Sequence, residues 1–237
     1  MVDKAIVELL KGVDLFSELK EEQLEQLATL VIANDFARDE TIILEKDEST
    51  QALFLIASGE VKVFMTGVDG RETILALLER GDFFGEMSLI DGEPRSATVK
   101  AVTSAKLLII RREHFLDLLK STPELCMGLL VEMSKRLRKS NRQIGSLSTM
   151  SVYGRVAGTL LSLVEERGVR IHGTDGRMVT VIRNRPTQQQ LAEMSGTTRE
   201  TVSRVFSSLV KKHSISVMGK DLVILEESLL RDQDLKE

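Results

Sequence analysis

Short β-rich runs recur between about residues 35 and 110, and this rhythm limits the front half of the chain to a small set of folds. The runs are Thr41–Leu44, Leu53–Ile56, Val61–Met65, Thr73–Leu78, Ala97–Val102 and Lys106–Ile110. Turn signals such as Ser58-Gly59 and Gly81-Asp82 separate them. Strands this short and this closely spaced predict a small antiparallel barrel or roll. Apolar residues at helical spacing in 3–11 and 21–31 predict two helices ahead of it.

One segment interrupts this rhythm with polar groups that would suit a sugar-phosphate ligand. Residues 81–98 read G-D-F-F-G-E-M-S-L-I-D-G-E-P-R-S-A-T. Arg95 offers a bidentate fork for phosphate oxygens, Ser96 adds a hydroxyl, and Gly85 lets the backbone approach an anion. Glu86 would repel a phosphate, so it would accept a hydrogen bond from a sugar hydroxyl instead. The alternative is a strand–turn–strand with a surface Glu–Arg pair, which would contribute little to stability.

A long helix is predicted beyond Pro123, because the apolar residues there follow a heptad. Alternating steps of four and three run through Cys126, Leu130, Met133, Leu137, Ser140, Ile144 and Leu147. A helix with one narrow apolar stripe and charged flanks usually pairs with a copy of itself. The sequence therefore predicts a homodimer, and packing of the stripe against its own domain is the alternative. Ser140 and Asn141 put two hydrogen-bonding side chains at the stripe and its edge, which would suit recognition of a planar base by two subunits.

Residues 186–212 have the spacing of a helix–turn–helix. Thr187 and Gln190 form a capping box that would start a short helix, and a glycine turn follows at Gly196. Thr198 would cap the second helix. A helix at 152–166 precedes this motif, together with strand-like runs at Val169–His172 and Met178–Ile182 around residues 173–176. A hairpin of Ile215–Met218 and Leu222–Leu225, turning at Gly219-Lys220, would follow it.

The second helix of this motif carries a polar face that could read DNA. Arg199, Glu200, Ser203 and Arg204 lie together, opposite a buried stripe of Val202, Val205, Phe206, Leu209 and Val210. Arg can bind guanine O6 and N7, and Glu can accept from cytosine N4. The predicted phosphate contacts that set register are Thr187, Thr198 and Thr201, and Gln188 and Lys220 complete the predicted DNA contacts. A two-helix hairpin with a solvated charged face is the alternative.

Composition supports this division and excludes several classes of protein. Hydrophobic residues make up 42% and charged residues 29%, which is typical of a globular protein. The net charge is −4, yet residues 152–225 hold 11 Lys and Arg against 6 Asp and Glu, so a polyanion would meet the back half. The single cysteine, Cys126, and three scattered histidines give no metal-ligand spacing. With no apolar run long enough to span a membrane and no signal-peptide pattern, we expect a cytoplasmic protein.

With both constellations in one chain, the sequence resembles the bacterial cyclic-AMP receptor protein (catabolite activator) and fumarate–nitrate reduction regulator family. The motifs that carry the resemblance are G-E-M-S-L with P-R-S-A at 85–97 and T-T-R-E-T-V-S-R at 197–204. The resemblance implies an α+β chain: an N-terminal antiparallel β-roll that binds a cyclic nucleotide (1–122), a long dimerisation helix (123–150) and a C-terminal winged helix–turn–helix (151–237).

The resemblance also implies residue roles. Glu86 would bind the ribose 2′-hydroxyl, and Arg95 and Ser96 would bind the cyclic phosphate. Arg136, Ser140 and Asn141 would line the base, the last two reaching across the dimer. The residues of the implied ligand site are Gly85, Glu86, Met87, Ser88, Arg95, Ser96, Arg136, Ser140 and Asn141. Arg199, Glu200 and Arg204 match residues that read a half-site resembling TGTGA.

Two departures from the family pattern leave alternatives open. Cyclic-AMP binders of the family usually carry Thr-Ser where this chain has Ser140-Asn141, so the base could belong to cyclic AMP, cyclic GMP or cyclic di-GMP. The segment 167–186 is longer than in close relatives and lies where a surface contacting RNA polymerase is expected. The favoured hypothesis is a homodimeric, cyclic-AMP-responsive transcription regulator of double-stranded DNA. A constitutive DNA-binding protein with a ligand-independent roll is the alternative, and no Walker-type loop, activated nucleophile or metal cluster favours an enzyme.

Overall fold

The computed structural model describes residues 4–173 and 177–231, which form two compact units. Unit 1 is Met1–Lys139 and unit 2 is Ser140–Glu237. The expected turn at 173–176 falls on residues 174–176, which lie outside the described residues.

Unit 1 contains two four-stranded antiparallel sheets that bear out the β-roll expectation. Its strands are β1 (Ile32–Phe36), β2 (Thr41–Ile43), β3 (Ala52–Ser58), β4 (Val61–Thr66), β5 (Glu72–Leu78), β6 (Phe83–Phe84), β7 (Thr98–Ala101) and β8 (Ala105–Arg111). The strand order is β1-β8-β3-β6 in one sheet and β2-β7-β4-β5 in the other. Register shifts interrupt the pairing of β4 with β5 and of β3 with β8. Such irregularities bend and twist strands.

Strand β3 separates the two hydrophobic cores of unit 1, because successive side chains of a strand point to opposite faces. Leu53, Leu55 and Ala57 face a core shared with the helices. Phe54 and Ile56 face the core that also contains residues of the second sheet. The ring of Phe54 stacks on that of Phe84 with centroids 5.1 Å apart.

Helices flank the sheets of unit 1. They are α1 (Lys4–Lys11), a 3-10 turn (Asp14–Phe16), α2 (Glu21–Leu30), α3 (Met87–Asp91), α4 (Arg112–Ser121) and α5 (Pro123–Thr149). The α5 helix has 27 residues, begins at Pro123 as the sequence predicts, and continues into unit 2. Its first two turns are fixed by burial of Leu125 and Leu129.

Unit 2 is a helical domain with one antiparallel sheet. It contains α6 (Val152–Arg167), β9 (Gly168–His172), β10 (Met178–Ile182), α7 (Gln188–Ser195), α8 (Arg199–Lys211), β11 (Ile215–Met218), β12 (Asp221–Ile224) and α9 (Glu227–Arg231). The sheet order is β11-β12-β10-β9. Its core is formed by α6, α7, α8 and α9 together with apolar side chains of β10, β11 and β12. The predicted helices and both predicted hairpin strands are present, with ends within a residue or two.

Several elements were missing from the sequence-based expectation, among them the 3-10 turn, α9, and three short elements of unit 1. Strand β1 has an almost wholly exposed sequence and is held by its pairing with β8. Strand β6 has two residues and pairs with β3. Helix α3 has five residues and divides the segment 81–98, which therefore is not a simple strand–turn–strand.

Candidate functional site

Arg95 is positioned by a main-chain pairing with the loop that follows β2. Its N–H donates to the carbonyl oxygen of Asp47 at 3.1 Å, and the N–H of Lys46 donates to the carbonyl oxygen of Arg95 at 2.8 Å. The loop is folded by Asp47 itself, whose carboxylate accepts from Ser49 and Thr50. These hydrogen bonds, the Ser49 hydroxyl first among them, hold the pKa of the Asp47 carboxyl well below its usual range.

The guanidinium of Arg95 is bound by main-chain carbonyls. Nη1 donates to Gly85 at 2.6 Å, and Nη2 donates to Ala52 at 2.9 Å and also to Thr50. Arg95 is 4% exposed. Its Nε is buried and has no hydrogen-bond partner among the described residues.

Arg95 is therefore a buried cation with its charge uncompensated at close range. No carboxylate among the described residues forms an ion pair with it. Burial lowers the pKa of the guanidinium, and the negative charges of Asp47 and Glu86 offset this lowering only in part. Buried charges are usually paired, because desolvation costs several kcal/mol otherwise. An anion bound at this guanidinium would supply the missing charge.

Gly85 is required by the position of this guanidinium. Its φ is +88°, and a Cβ built there would lie 2.7 Å from Nη1 of Arg95 and 3.0 Å from the carbonyl oxygen of Ala52. Both the backbone conformation and the close approach exclude a side chain. The sequence analysis assigned Gly85 to close approach of a bound anion; the close approach in the structure is to the guanidinium of Arg95, and the role toward an anion stays a prediction.

Glu86 follows at once and is also buried, with an exposed fraction of 2%. Its Oε1 accepts from Nη1 of Arg136 at 3.0 Å. Its Oε2 is buried and has no hydrogen-bond partner among the described residues. Because a buried carboxylate oxygen without a partner is costly, this atom is suited to accept a hydrogen bond from a ligand hydroxyl.

Arg136 reaches Glu86 from helix α5. Besides its bond to Glu86, it donates from Nη2 to the carbonyl oxygen of Phe83 at 2.7 Å and from Nε to Glu132 at 3.3 Å. Its guanidinium lies 4.6 Å from the centroid of the Phe83 ring, within cation–π range. The structure thus places Arg136 on the carboxylate of Glu86, whereas the resemblance assigns it to the base.

Sequence reasoning missed two of these partners. The spacing of Glu132 and Arg136 is i,i+4, which is a recognised pairing distance on a helix and could have indicated the ion pair. No sequence signal points to Phe83, because one of its two contacts with Arg136 is made by its main-chain carbonyl, which every residue has.

The remaining implied ligand residues differ in exposure. Met87 and Ser96 are exposed and touch through the Ser96 hydroxyl and the Met87 sulfur at 3.9 Å. Ser88 is half-buried, and its hydroxyl lacks a partner among the described residues. Ser140 and Asn141 are exposed on α5, about one turn beyond Arg136.

The predicted stripe on α5 is largely uncovered. Leu130, Leu137, Ile144 and Leu147 are 59%, 62%, 62% and 51% exposed. Cys126 and Met133 are the exceptions: both are half-buried, and Met133 packs against the helical core of unit 1. A row of exposed leucine and isoleucine side chains at heptad spacing is typical of a helix–helix interface.

The helix–turn–helix has the predicted caps. The Thr187 hydroxyl accepts from the N–H of Gln190 at 3.2 Å, and the Gln190 side chain accepts from the N–H of Thr187 at 2.8 Å. Gly196 ends α7 with φ +61° and ψ 48°. The Thr198 hydroxyl accepts from the N–H of Thr201 and so begins α8. These contacts fix the angle between α7 and α8.

The face of α8 that could read DNA is exposed. Arg199, Glu200, Ser203 and Arg204 are all exposed, and Val202, Val205, Phe206 and Leu209 are buried. Val210 was predicted in the buried stripe but is exposed, because it lies near the end of α8 at the edge of the core. Arg204 donates from Nη2 to the Thr201 hydroxyl at 3.2 Å. A hydrogen bond from its own backbone amide and another from the Thr198 hydroxyl lower the pKa of Glu200, which keeps it an ionised acceptor. Of the other predicted DNA contacts, Thr187, Thr198 and Lys220 are exposed, while Gln188 and Thr201 are half-buried.

The turn of this motif is held from two sides within unit 2. Arg155 of α6 donates from Nε to the carbonyl oxygen of Ser195 at 2.9 Å and from Nη2 to that of Gly196 at 3.1 Å. From the last turns of α5, Gln143 donates to the carbonyl oxygen of Met194 at 3.4 Å. Sequence reasoning did not identify either side chain, because neither contact is local in sequence.

Within residues 4–173 and 177–231, no cluster of His, Cys, Asp and Glu could hold a metal ion. No helix in these ranges is both long and apolar enough to cross a membrane.

Comparison with known proteins assigns both units to described families. A family model described as a cyclic nucleotide-binding domain matches residues 34–122, and one described as a Crp-like helix-turn-helix domain matches residues 154–233. The "cAMP-activated global transcriptional regulator CRP" of Pasteurella multocida is 34% identical over 183 residues, which cover 77% of this chain and 85% of that protein.

Two further similarities span more of the chain. The "Cyclic AMP receptor protein" of Thermus thermophilus is 33% identical over 223 residues, covering 94% of this chain and 97% of the relative. The solved structure of FixK2 from Bradyrhizobium japonicum has a TM-score of 0.74 at 20% identity, covering 87% of this chain and 98% of that one. The last similarity is one of fold.

Proposed function

This chain belongs to the cyclic-AMP receptor protein and fumarate–nitrate reduction regulator family of bacterial transcription regulators, and we propose that it is a homodimer whose DNA binding is switched by cyclic AMP. Members of the family bind ligand and DNA and are not enzymes.

The observation that carries the proposal is the pair of unsatisfied groups at Arg95 and Glu86. A buried guanidinium without an ion-pair partner among the described residues needs an anion, and a buried carboxylate oxygen without a partner needs a hydroxyl donor. A cyclic nucleotide carries both groups on one rigid ring system, the phosphodiester and the ribose 2′-hydroxyl. In this proposal Arg95 and Ser96 bind the phosphate, and Glu86 accepts from the ribose.

Cyclic AMP is the proposed nucleotide because two relatives at 33–34% identity are named for it. Ser140 and Asn141 are the proposed base contacts, with Met87 and Ser88 near the sugar and phosphate. Cyclic GMP and cyclic di-GMP are the competing ligands, since Ser140-Asn141 replaces the usual Thr-Ser pair.

The proposed dimer forms along the α5 stripe. Four exposed leucine and isoleucine side chains repeat at heptad spacing there, and covering each with a partner would contribute at most about 1.5–3 kcal/mol. A two-fold dimer would present two α8 helices to successive major grooves, which fits a palindrome of TGTGA-like half-sites. Arg199, Glu200 and Arg204 are the proposed base readers.

The proposed switch acts through α5, which contains both Arg136 and Gln143. A nucleotide hydroxyl on Glu86 would act on a carboxylate that Arg136 of α5 already binds, and Gln143 lies against the turn that orients α8. A shift of this helix would therefore bias the orientation of α8. RNA polymerase is the proposed further partner, in keeping with the family's role in transcription, and the cytoplasm is the proposed location.

Isothermal titration with cyclic AMP, cyclic GMP and cyclic di-GMP tests the ligand. We expect cyclic AMP to bind most tightly and Arg95→Ala to abolish its binding. A gel shift on a TGTGA palindrome, with and without each nucleotide, tests the switch. Tighter binding of another nucleotide would reassign the ligand, and DNA affinity indifferent to all three would favour the ligand-independent alternative.

A further inference from the structure

Helix α3 sets the position of Glu86 but is too short to be stable alone. It comprises Met87–Asp91, and Glu86 is its N-cap residue. The N–H groups of Leu89 and Ile90 donate to the carbonyl oxygen of Glu86 at 3.1 and 3.2 Å. Isolated helices shorter than about 12 residues are marginal in water, so a single turn depends on contacts from outside. Whatever holds α3 therefore holds the backbone of Glu86.

Arg112 supplies such a contact. It is the first residue of α4, and its Nε donates to the carbonyl oxygen of Leu89 at 3.1 Å. Its own N–H donates to the carbonyl oxygen of Gln51 at 3.1 Å, beside the start of β3. A cation that hydrogen-bonds a carbonyl near the C-terminal end of a helix is favourably placed.

Glu86 is thus held at two points. Arg136 binds its carboxylate through Oε1, and Arg112 binds the helix that begins at its backbone. The other carboxylate oxygen, Oε2, is buried and points to no partner among the described residues. A binding group held within about 0.5 Å of its productive position is what a discriminating site requires.

We propose that Arg112 is a positioning residue for ribose recognition: by hydrogen-bonding Leu89 it fixes α3, and through α3 it fixes the Glu86 carboxylate that accepts the 2′-hydroxyl. This inference rests on the proposed function. It assigns a residue outside the segment 85–96 to the selectivity of the nucleotide site.

Two substitutions of nearly equal length separate the hydrogen bond from the bulk of the side chain. Arg112→Met keeps an unbranched chain and removes the donor. Arg112→Gln places an amide N–H₂ where the Nε of arginine stands, so it can still donate to Leu89. Arg111→Met is the matched control, because Arg111 is the adjacent, exposed arginine and its loss changes the net charge equally.

The decisive experiment measures the affinities of the full-length protein for cyclic AMP and for its 2′-deoxy analogue. The unaltered protein should bind the ribonucleotide about tenfold or more tightly than the 2′-deoxy analogue, because only the ribonucleotide can form a hydrogen bond with the charged Glu86 carboxylate. Arg112→Met should reduce that preference by about three- to tenfold, mainly by weakening the ribonucleotide, while Arg112→Gln and Arg111→Met should retain most of it. A purely structural role would weaken both nucleotides equally and leave the ratio unchanged.

An unchanged ratio in Arg112→Met would overturn the inference and leave the proposed function intact. A protein that binds neither nucleotide before any substitution would overturn the proposed function, and the inference with it. Amide exchange of the ligand-free protein gives a second measurement. Leu89 and Ile90 should exchange faster in Arg112→Met than in Arg111→Met, and equal rates would also overturn the inference.

Discussion

Arg136 donates a 3.0 Å hydrogen bond to Glu86 across fifty positions of the sequence. The acceptor begins helix α3 and the donor lies on α5, so this one contact ties the proposed ribose site to the long helix. The same arginine is shared with Glu132, and it lies over the ring of Phe83. A ligand hydroxyl that reaches Glu86 would therefore act on a group already bonded to α5.

Arg95→Lys should weaken cyclic-AMP binding by about tenfold or more, because an ammonium cannot reproduce the two-pronged contact of a guanidinium with phosphate. It should also lower the free energy of unfolding by about 1–3 kcal/mol, since buried carbonyls of Thr50, Ala52 and Gly85 would lose donors. Titration calorimetry and denaturant unfolding measure the two effects. Arg71→Lys is the control, because Arg71 is exposed and pairs with the nearby Asp69. Undiminished binding in Arg95→Lys would contradict the phosphate assignment.

Much of the fold follows from local signals. The capping box at Thr187, the αL glycine at Gly196 and the start of α5 at Pro123 are all set by residues within a few positions, and the sequence predicted each of them. Strand β1 was not predictable in this way, because its residues are mostly exposed and its conformation depends on pairing with β8. Helix α3 was missed for a related reason: one turn has no periodicity, and its support comes from other parts of the chain, through the burial of Leu89 in the core and the hydrogen bond from Arg112.

The candidate site was predictable in its residue types and less so in its contacts. Gly85, Glu86 and Arg95 stand in one segment, and their chemistry indicates a sugar and a phosphate. The three carbonyls on Arg95 and the pairing of Glu86 with Arg136 could not be foreseen, because they join positions about 10 to 50 residues apart that only the fold brings together. The assigned roles of the ligand and DNA residues stay predictions.

The buried carboxyl of Asp82, which lies near Arg136, should make the stability of the protein depend on pH. Burial, with a smaller contribution from Glu79, raises the pKa of the Asp82 carboxyl above its ordinary value of 3.8. The folded protein therefore binds this proton more tightly than the unfolded chain, so this group's contribution to stability falls as the pH rises through the interval above 3.8. Asp82→Asn removes the titrating group, and with it the loss of stability at higher pH, but keeps an oxygen that can accept from the N–H of Glu79.

Relative to the unaltered protein, Asp82→Asn should become progressively more stable as the pH rises above 3.8, and the difference should level off once Asp82 is ionised in the folded protein. Urea unfolding at a series of pH values measures this difference. Asp117→Asn is the control, since Asp117 is exposed on α4 and pairs with Lys120. A difference between Asp82→Asn and the unaltered protein that does not change with pH would contradict the assigned cause.

Leu137→Glu should disrupt the proposed dimer. Leu137 is 62% exposed and lies in the middle of the α5 stripe, so each dimer would lose two buried leucines at about 1.5–3 kcal/mol apiece and gain two facing charges. Sedimentation equilibrium should show dimerisation weakened by at least about a hundredfold. Arg138→Glu places the same side chain one position away, outside the stripe, and should leave the dimer in place. Equal effects of the two substitutions would argue against the stripe as the interface.

Glu200→Gln should relax base discrimination at one position in each half-site. An ionised Glu200 can accept from cytosine N4, whereas the amide can also donate, so the preference for one base pair should fall by about 1–3 kcal/mol. Competition binding with duplexes substituted at each position of the half-site measures it. Glu193→Gln on α7 is the matched control, because Glu193 pairs with Gln189 within its own helix. Retention of the full preference by Glu200→Gln would remove Glu200 from the base readers.

The central claim is that nucleotide and DNA binding are coupled, and reciprocal linkage tests it most directly. The affinity for cyclic AMP should be measured with and without a saturating TGTGA duplex, and the affinity for the duplex with and without cyclic AMP. The account predicts that each ligand tightens the other by the same factor, about five- to 150-fold, and that Glu86→Gln reduces that factor. Two affinities that are each unaffected by the other ligand would contradict it.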